Sequence, residues 1–141
     1  MCGIIGINSN RPVSSTIISS LKKLEYRGYD SAGIATLSNN EINEVKSEGR
    51  VDNLENNLLV QKMEGTIGIG HVRWATHGLP NSINAHPHSS QNVSVVHNGI
   101  IENSDELKKY GSGDSILLYI ISYTIIFTGS RWLLNICGHP L

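Results

Sequence analysis

A cysteine at position 2 opens the chain, and an apolar, glycine-interrupted run follows it from residue 3 to residue 7. Removal of Met1 would leave Cys2 with both a thiol and a free α-amine. An α-amino group titrates near about 7.7–8.0 and a free thiol near about 8.5, so the amine can accept the thiol proton at neutral pH. Two interpretations fit this start. One is an N-terminal nucleophile, and the other is an apolar first strand that contains a buried, structural cysteine.

The size and charge of the chain narrow the class of protein. At 141 residues the chain has the length of one domain, and its net charge is −1 with 16% charged residues. This balance argues against nucleic acid or an anionic membrane surface as the main partner. The start lacks the basic and apolar segments of a signal peptide, which favours a cytoplasmic, reducing location. Cys2 and Cys137 are therefore expected to be free thiols rather than a disulfide.

Hydrophobic periodicity predicts strands that form hairpins, with helices between them. The first helix is expected to be capped by Ser14, Ser15 or Thr16 and to end at Gly28. A second helix is expected from the helical spacing of Val51, Leu54, Leu58 and Leu59. The pattern indicates an α+β fold. Strands are expected at residues 2–7, 31–37, 41–46, 66–72 and 93–97, with a turn at 38–40 between the second and third.

Four further segments carry local predictions. Gly68 and Gly70 suggest the close approach of another backbone to their strand. Residues 76–92 lack periodicity and are expected to form a long, functional loop. Ser104 or Asp105 could cap a short helix that runs to residue 109. The apolar run at 116–127 is shorter than the roughly 20 residues needed to span a membrane, so a buried helix or strand is favoured over a membrane segment.

Five sequence blocks, taken together, resemble the glutaminase domain of the glutamine–fructose-6-phosphate aminotransferase family. The resemblance covers about residues 1–109 and departs from the family pattern after that point. The blocks are Met1-Cys2-Gly3-Ile4, Tyr26-Arg27-Gly28-Tyr29-Asp30-Ser31, Gly70-His71-Val72-Arg73-Trp74-Ala75-Thr76-His77-Gly78, Asn84-Ala85-His86-Pro87-His88 and Val95-Val96-His97-Asn98-Gly99.

The resemblance implies a fold and a division of the chain. The fold would be an N-terminal-nucleophile hydrolase sandwich, in which two antiparallel sheets lie face to face and are flanked by helices. Residues 1–127 would form a glutamine amidotransferase type-2 domain that is incomplete and divergent after 109. Residues 128–141 remain an unassigned tail, and the sugar isomerase domains are absent.

The resemblance also implies a reaction, glutamine to glutamate plus ammonia through a Cys2 thioester. Cys2 would be the nucleophile, and its α-amine would serve as base and then as acid. The side-chain amide of Asn98 and the backbone N–H of Gly99 would form the oxyanion hole. From the local sequence alone, Asn98-Gly99 would be interpreted as a hairpin turn.

Recognition of the amino-acid end of glutamine is implied for a second group of residues. Arg73, Thr76 and His77 match the family residues that hold it, and a guanidinium fork with a hydroxyl suits an α-carboxylate. Asp114 is a candidate for the aspartate that binds the α-amine, although its spacing from Asn98 is shorter than in the family.

Two more residues are assigned supporting roles by the resemblance. Trp74 lies in the loop that closes over glutamine in family members, and the alternative is a surface loop with a buried tryptophan. Arg27 would be supporting structure near the nucleophile. Six histidines without a partnering cysteine cluster are a weak zinc signal, so neither a metal nor a cofactor is expected.

Several functional alternatives stay open at this stage. The ammonia would be destined for amino-sugar synthesis, on a separate sugar-phosphate isomerase or synthase subunit, and the chain could form a homo-oligomer. The main alternative is a catalytically inactive fragment that binds glutamine weakly or associates with a full-length synthase. A third is a membrane-associated binding protein that uses residues 116–127.

Overall fold

The computed structural model describes residues 2–26, 29–74, 81–90 and 93–98, apart from the side chains at 60 and 90, and the backbone of 124–128 and 131–135. These residues form two helices and two four-stranded sheets. The elements in chain order are β1 (Gly3–Asn8), α1 (Ser14–Leu24), β2 (Ser31–Ser38), β3 (Glu41–Glu48), α2 (Val51–Val60), β4 (Ile67–Arg73), β5 (His88–Ser90), β6 (Val93–His97), β7 (Thr124–Thr128) and β8 (Arg131–Asn135).

Both sheets are antiparallel throughout. The strand order is β1-β4-β2-β3 in the first sheet and β5-β6-β7-β8 in the second. In the first sheet, β4 lies between β1 and β2, with Gly3 opposite Val72 and Ser31 opposite Arg73. This register brings the first residues of β1 and β2 and the last residues of β4 to the same end of the sheet.

One face of the first sheet packs against both helices. Alternate residues of a strand point to opposite faces, so β2 directs Ala32 and Ile34 toward the helices. Ile17 and Leu21 of α1 are fully buried in this layer, where the core also includes Val51 and Leu54 of α2. Burial of a side chain of this size stabilises the fold by about 1.5–3 kcal/mol.

The opposite face of the first sheet packs against the second sheet. Ala35 of β2, Ile69 of β4 and Val96 of β6 form a buried apolar cluster, and β4 and β6 are in direct contact. The two-sheet sandwich is therefore confirmed. Among the described residues the helices cover the first sheet, with α1 against β1 and β4 and α2 against β2 and β3.

All five predicted strands and the first two of the three predicted helices are present, within one or two residues at most ends. The turn between β2 and β3 consists of Asn39 and Asn40, whose φ angles are 52° and 63°. Asparagine tolerates this left-handed region better than most residues, so the two-residue hairpin turn matches its sequence. Leu59 is an exception in α2, because it is 76% exposed.

The predicted limits of α1 are wrong. The residue before the helix is Val13, which has no side-chain cap, and the Ser14 hydroxyl donates instead to the backbone carbonyl of Met63 at 3.0 Å. The helix ends at Leu24, where the backbone N–H of Glu25 still donates to a carbonyl of the last turn. A tertiary partner for Ser14 therefore replaced the local cap.

Two other local predictions differ in part from the structure. A Cβ added at Gly70 would overlap the Ile17 side chain of α1, so the close neighbour there is a side chain rather than another backbone. At Gly68 the nearest atoms would be Cδ1 of the same isoleucine at 2.8 Å and the backbone carbonyl oxygen of Ala35 in β2 at 3.0 Å, so the expected backbone neighbour is present there. The segment 76–92 is not a continuous loop, because His88–Ser90 form β5 and pair with β6.

Only some of the predictions for the C-terminal part fall on described residues. The expected helix at 104–109 and residues 116–123 lie outside the described residues, but β7 covers the end of the apolar run and pairs with β6 and β8. The β7–β8 hairpin extends on both sides of residue 127, and the domain limits remain a prediction. No helix in the described part of the chain is long and apolar enough to cross a membrane.

Candidate active site

Cys2 lies directly before β1 and contacts the residue that follows β4. The backbone N–H of Trp74 donates to Cys2 Sγ at 3.4 Å, and the thiol lies 3.8 Å from the Trp74 carbonyl oxygen, to which it can donate. Cys2 is a free, half-buried thiol. The sulfur thus has a defined place next to the backbone N–H and carbonyl of Trp74.

Asn98 connects the second sheet to Cys2. It follows β6 directly, and its side-chain Nδ2 donates to the backbone carbonyl oxygen of Cys2 at 3.1 Å. The NH₂ group of a side-chain amide has two N–H bonds, each of which can donate a hydrogen bond. One of those of Asn98 donates to the Cys2 carbonyl. The structure therefore places the predicted oxyanion donor against the predicted nucleophile. Gly99 lies outside the described residues.

Arg73 is the last residue of β4 and lies next to Trp74 in the chain. Its Nη1 is 3.6 Å from Oδ1 of Asp30, and its side chain is 11% exposed. The backbones of the two residues are joined as well, because the N–H of Asp30 donates to the carbonyl of Arg73 at 3.1 Å. A largely buried guanidinium that already has a carboxylate neighbour has a defined direction, which suits recognition of a second carboxylate.

Trp74 is not a buried tryptophan. It is 41% exposed, and its ring makes an edge-to-face contact with the buried ring of Tyr29, with centroids 6.2 Å apart. The ring thus lies at the surface against Tyr29, while the Trp74 backbone contacts Cys2. Its expected part in loop closure remains a prediction, because the residues after it lie outside those described. Thr76, His77, Asp114 and Arg27 also lie outside them.

His71, His86 and His88 form a group between the sheets. His71 precedes Arg73 by two residues in β4. The rings of His71 and His86 are 4.6 Å apart between centroids, and those of His86 and His88 are 4.4 Å apart. Gly33 makes room for the His86 backbone, because a Cβ at that position would overlap the His86 carbonyl oxygen. Within the described ranges no group of three or more His, Cys, Asp or Glu side chains is arranged to hold a metal ion.

Burial keeps these imidazoles neutral. His71 is fully buried, which lowers its pKa to about 3, helped by the nearby Arg73 charge. Neither ring nitrogen of His71 has a hydrogen-bond partner among the described residues, although the backbone of His97 is close enough to oppose the shift slightly. Burial lowers the pKa of His86 to about 2, and it also lowers the pKa of His88. The cluster therefore acts as uncharged core at neutral pH.

Two features of this region are not evident from the sequence. Asp30 lies within the Tyr26–Ser31 motif without a role of its own, and the histidines suggest only a weak metal site. The signal for Asp30 was its place immediately before a strand, since Ser31 is opposite Arg73 in the β2–β4 pair. That register could not be derived without the strand order of the sheet.

Comparison with known proteins gives relatives for about three-quarters of the chain. The glutamine–fructose-6-phosphate aminotransferase (isomerizing) of Mesorhizobium japonicum is 56% identical over 108 residues, which are 77% of this chain and 18% of the relative. The corresponding protein of Clostridium acetobutylicum is 54% identical over 112 residues, or 78% of this chain and 18% of the relative. The matched region thus spans about a fifth of these curated relatives. No protein-family model matches the chain.

Solved structures show the same fold at lower identity. A glutamine phosphoribosylpyrophosphate amidotransferase from B. subtilis, complexed with ADP and GMP, superposes with a TM-score of 0.71 at 23% identity. The match covers 92% of this chain and 35% of that protein. Over 77% of its length the chain is similar in sequence to the glutamine–fructose-6-phosphate aminotransferases and resembles their N-terminal glutaminase domain, and its fold is that of the N-terminal-nucleophile amidotransferases.

Proposed function

We propose that the chain carries the glutaminase half-reaction of a glutamine–fructose-6-phosphate aminotransferase. The observation that supports this most directly is the convergence of three elements on one point. Cys2 lies just before β1, the Asn98 amide at the end of β6 donates to the Cys2 carbonyl, and the N–H of Trp74, just after β4, donates to Cys2 Sγ. Arg73 is the last residue of β4 and precedes Trp74 in the chain. A nucleophile, an oxyanion donor and a carboxylate receptor are the groups that amide hydrolysis of an amino-acid side chain requires.

The proposed reaction begins after Met1 has been removed. The free α-amine of Cys2 accepts the thiol proton, and Sγ attacks the side-chain carbonyl carbon of glutamine. The second N–H of Asn98 and the N–H of Gly99 stabilise the oxyanion, and one such donor contributes about 3–4 kcal/mol to lowering the barrier. The protonated amine then gives its proton to the departing ammonia, which leaves a thioester on Cys2.

The second stage releases glutamate and regenerates the enzyme. A water molecule attacks the thioester carbonyl, the amine accepts its proton, and the Sγ–carbon bond breaks to return the thiol. The net reaction is glutamine plus water to glutamate plus ammonia. Arg73, Thr76, His77 and Asp114 are proposed to hold the amino-acid end of glutamine. Trp74 is proposed to cover the site and Arg27 to support it, so that water reaches the thioester only after ammonia has left.

The acceptor and the cellular setting are also part of the proposal. The ammonia would be passed to a sugar-phosphate isomerase or synthase subunit for amino-sugar synthesis in the cytoplasm, and the chain would work as part of a homo-oligomer or such a complex. The relatives are several times longer than the matched region, which supports an acceptor domain that lies beyond these residues.

The test is glutamate release from glutamine by the purified chain, with the N-terminal mass measured on the same sample. We expect turnover from protein that lacks Met1, none from Cys2→Ala and normal turnover from Cys137→Ala, the matched control for loss of a thiol. Folded, correctly trimmed protein that releases no glutamate would refute the proposal. It would favour the alternative, in which the chain is an inactive binding partner of a synthase.

A further inference from the structure

Asp30 is fixed at three points beside the candidate site. Its backbone N–H donates to the carbonyl of Arg73 at 3.1 Å, and its own carbonyl accepts the N–H of Gly49 at 2.7 Å. Its side-chain Oδ1 accepts a hydrogen bond from the hydroxyl of Ser31 at 3.1 Å, and Ser31 is fully buried. The position of the carboxylate is therefore set by the backbone of two neighbouring segments and by a buried hydroxyl.

The same Oδ1 faces the guanidinium of Arg73. The separation from Nη1 is 3.6 Å, and the two side chains are 11% and 25% exposed for Arg73 and Asp30 respectively. Solvent screens such a pair less than it screens an exposed surface pair. A guanidinium is a rigid, planar fork of five N–H donors, so a fixed carboxylate beside one of its nitrogens sets the direction of the whole group.

We propose that Asp30 is a positioning residue for substrate, which holds the Arg73 guanidinium in the direction needed to bind the α-carboxylate of glutamine. The inference rests on the proposed function of the site and deepens it. A guanidinium that is oriented before binding loses less conformational freedom when the carboxylate arrives. Asp30 also balances the positive charge of Arg73 in the empty site, so the half-buried pair is close to neutral before glutamine binds.

The first experiment is a double-mutant cycle on the full chain with glutamine as substrate. We expect Asp30→Ala to raise KM about three- to tenfold and to change kcat less than about twofold, since the lost contact belongs to binding. In an Arg73→Ala background, Asp30→Ala should add nothing further. Asp52→Ala is the matched control, because Asp52 is an exposed carboxylate paired with Lys22 and should leave KM unchanged.

Two results would overturn the positioning role. One is a penalty from Asp30→Ala that multiplies with that of Arg73→Ala, and the other is a loss confined to kcat. Asp30→Asn keeps an oxygen for Ser31 and removes the charge, so it gives a second variant if the alanine variant does not fold. We expect an intermediate KM from Asp30→Asn, and a KM equal to that of the unaltered chain would contradict the proposal.

A labelling experiment separates this inference from the proposed hydrolysis. The rate of Cys2 alkylation is compared for a diazoketone analogue of glutamine, which keeps the α-carboxylate, and for iodoacetamide, which lacks it. Asp30→Ala should slow the first reaction and leave the second unchanged. That result without any turnover would refute the proposed hydrolysis and retain the role of Asp30. If the chain turns over glutamine but the analogue labels the unaltered chain and Asp30→Ala equally fast, the role of Asp30 is refuted and the proposed hydrolysis is retained. If there is neither turnover nor a difference in labelling, both proposals are refuted.

Discussion

Acid should destabilise this protein through two histidines between its sheets, the buried His71 and the partly buried His86. Burial lowers the pKa of His71 to about 3 and that of His86 to about 2, from an ordinary value of 6.5. Well above pH 6.5 both residues are neutral in the folded and unfolded states, so they cause no pH dependence there. Below it the unfolded chain takes up protons that the folded protein does not bind until about pH 3. The free energy of unfolding therefore falls as the pH falls through this range.

The size of the loss in the free energy of unfolding depends on the difference between the assay pH and the pKa of histidine in the unfolded chain. At pH 5.0 the unfolded state of each histidine gains about 2 kcal/mol, which is 1.36 kcal/mol for each of roughly 1.5 pH units. His71 and His86 together should lower the free energy of unfolding by about 4 kcal/mol between pH 7.0 and pH 5.0. The figure depends little on the folded pKa values, provided that both lie well below 5. A loss of this size is a large fraction of the roughly 5–15 kcal/mol that stabilises a typical domain.

The assay is urea denaturation at pH 7.0 and pH 5.0, followed by tryptophan fluorescence. His71→Gln and His86→Gln should each reduce the pH-dependent loss by about 2 kcal/mol, whatever they do to stability at pH 7.0. Asp52→Asn is the control. The hydrogen bond to Lys22 lowers the pKa of Asp52 from 3.8, so this carboxylate does not titrate between pH 5.0 and pH 7.0. A loss below about 1 kcal/mol, or one that both glutamine variants leave intact, would refute the reasoning.

Three stability predictions follow from local packing, each measured by urea denaturation at pH 7. Gly70→Ala should cost about 1–3 kcal/mol because its Cβ would overlap the first helix, whereas Gly6→Ala, on an exposed site of the same sheet, should change stability by under about 1 kcal/mol. Glu25→Ala should cost about 1–2 kcal/mol, since this 4%-exposed carboxylate accepts the N–H of Val51 at 2.9 Å and so caps α2. Asn40→Val should cost about 1–2 kcal/mol because φ is 63° there. An unchanged midpoint in Gly70→Ala, Glu25→Ala or Asn40→Val would contradict the cause stated for that variant.

Most of the fold could be predicted because its signals are local. The paired asparagines between β2 and β3 indicate a left-handed turn, and the buried face of α1 is visible in the spacing of its isoleucines and leucines. Predictions failed where a distant partner decided the outcome. Ser14 bonds to the Met63 carbonyl instead of capping its helix, and β5 exists because His88 lies opposite Val95 in a pair with β6.

The candidate site divides in the same way. Cys2, Asn98 and Arg73 could be identified from their motifs, and the structure brings Asn98 and the residue after Arg73 into contact with Cys2. Asp30 could not be assigned from sequence, because its neighbour depends on the register of β2 against β4. The stacking of His71 on His86 likewise depends on how the segment after β4 folds back across the sheet, which no periodicity encodes.

The pairing of β1 with β4 has a consequence for biosynthesis. Gly3 lies opposite Val72, so the first strand has no partner until the ribosome has added nearly 70 further residues. At about 5–20 residues per second this interval lasts roughly 3–14 seconds, during which the start of the nascent chain is exposed. The contact between the Trp74 N–H and Cys2 Sγ can therefore form only after this interval. Until then the Cys2 sulfur lacks the neighbour that the folded protein gives it.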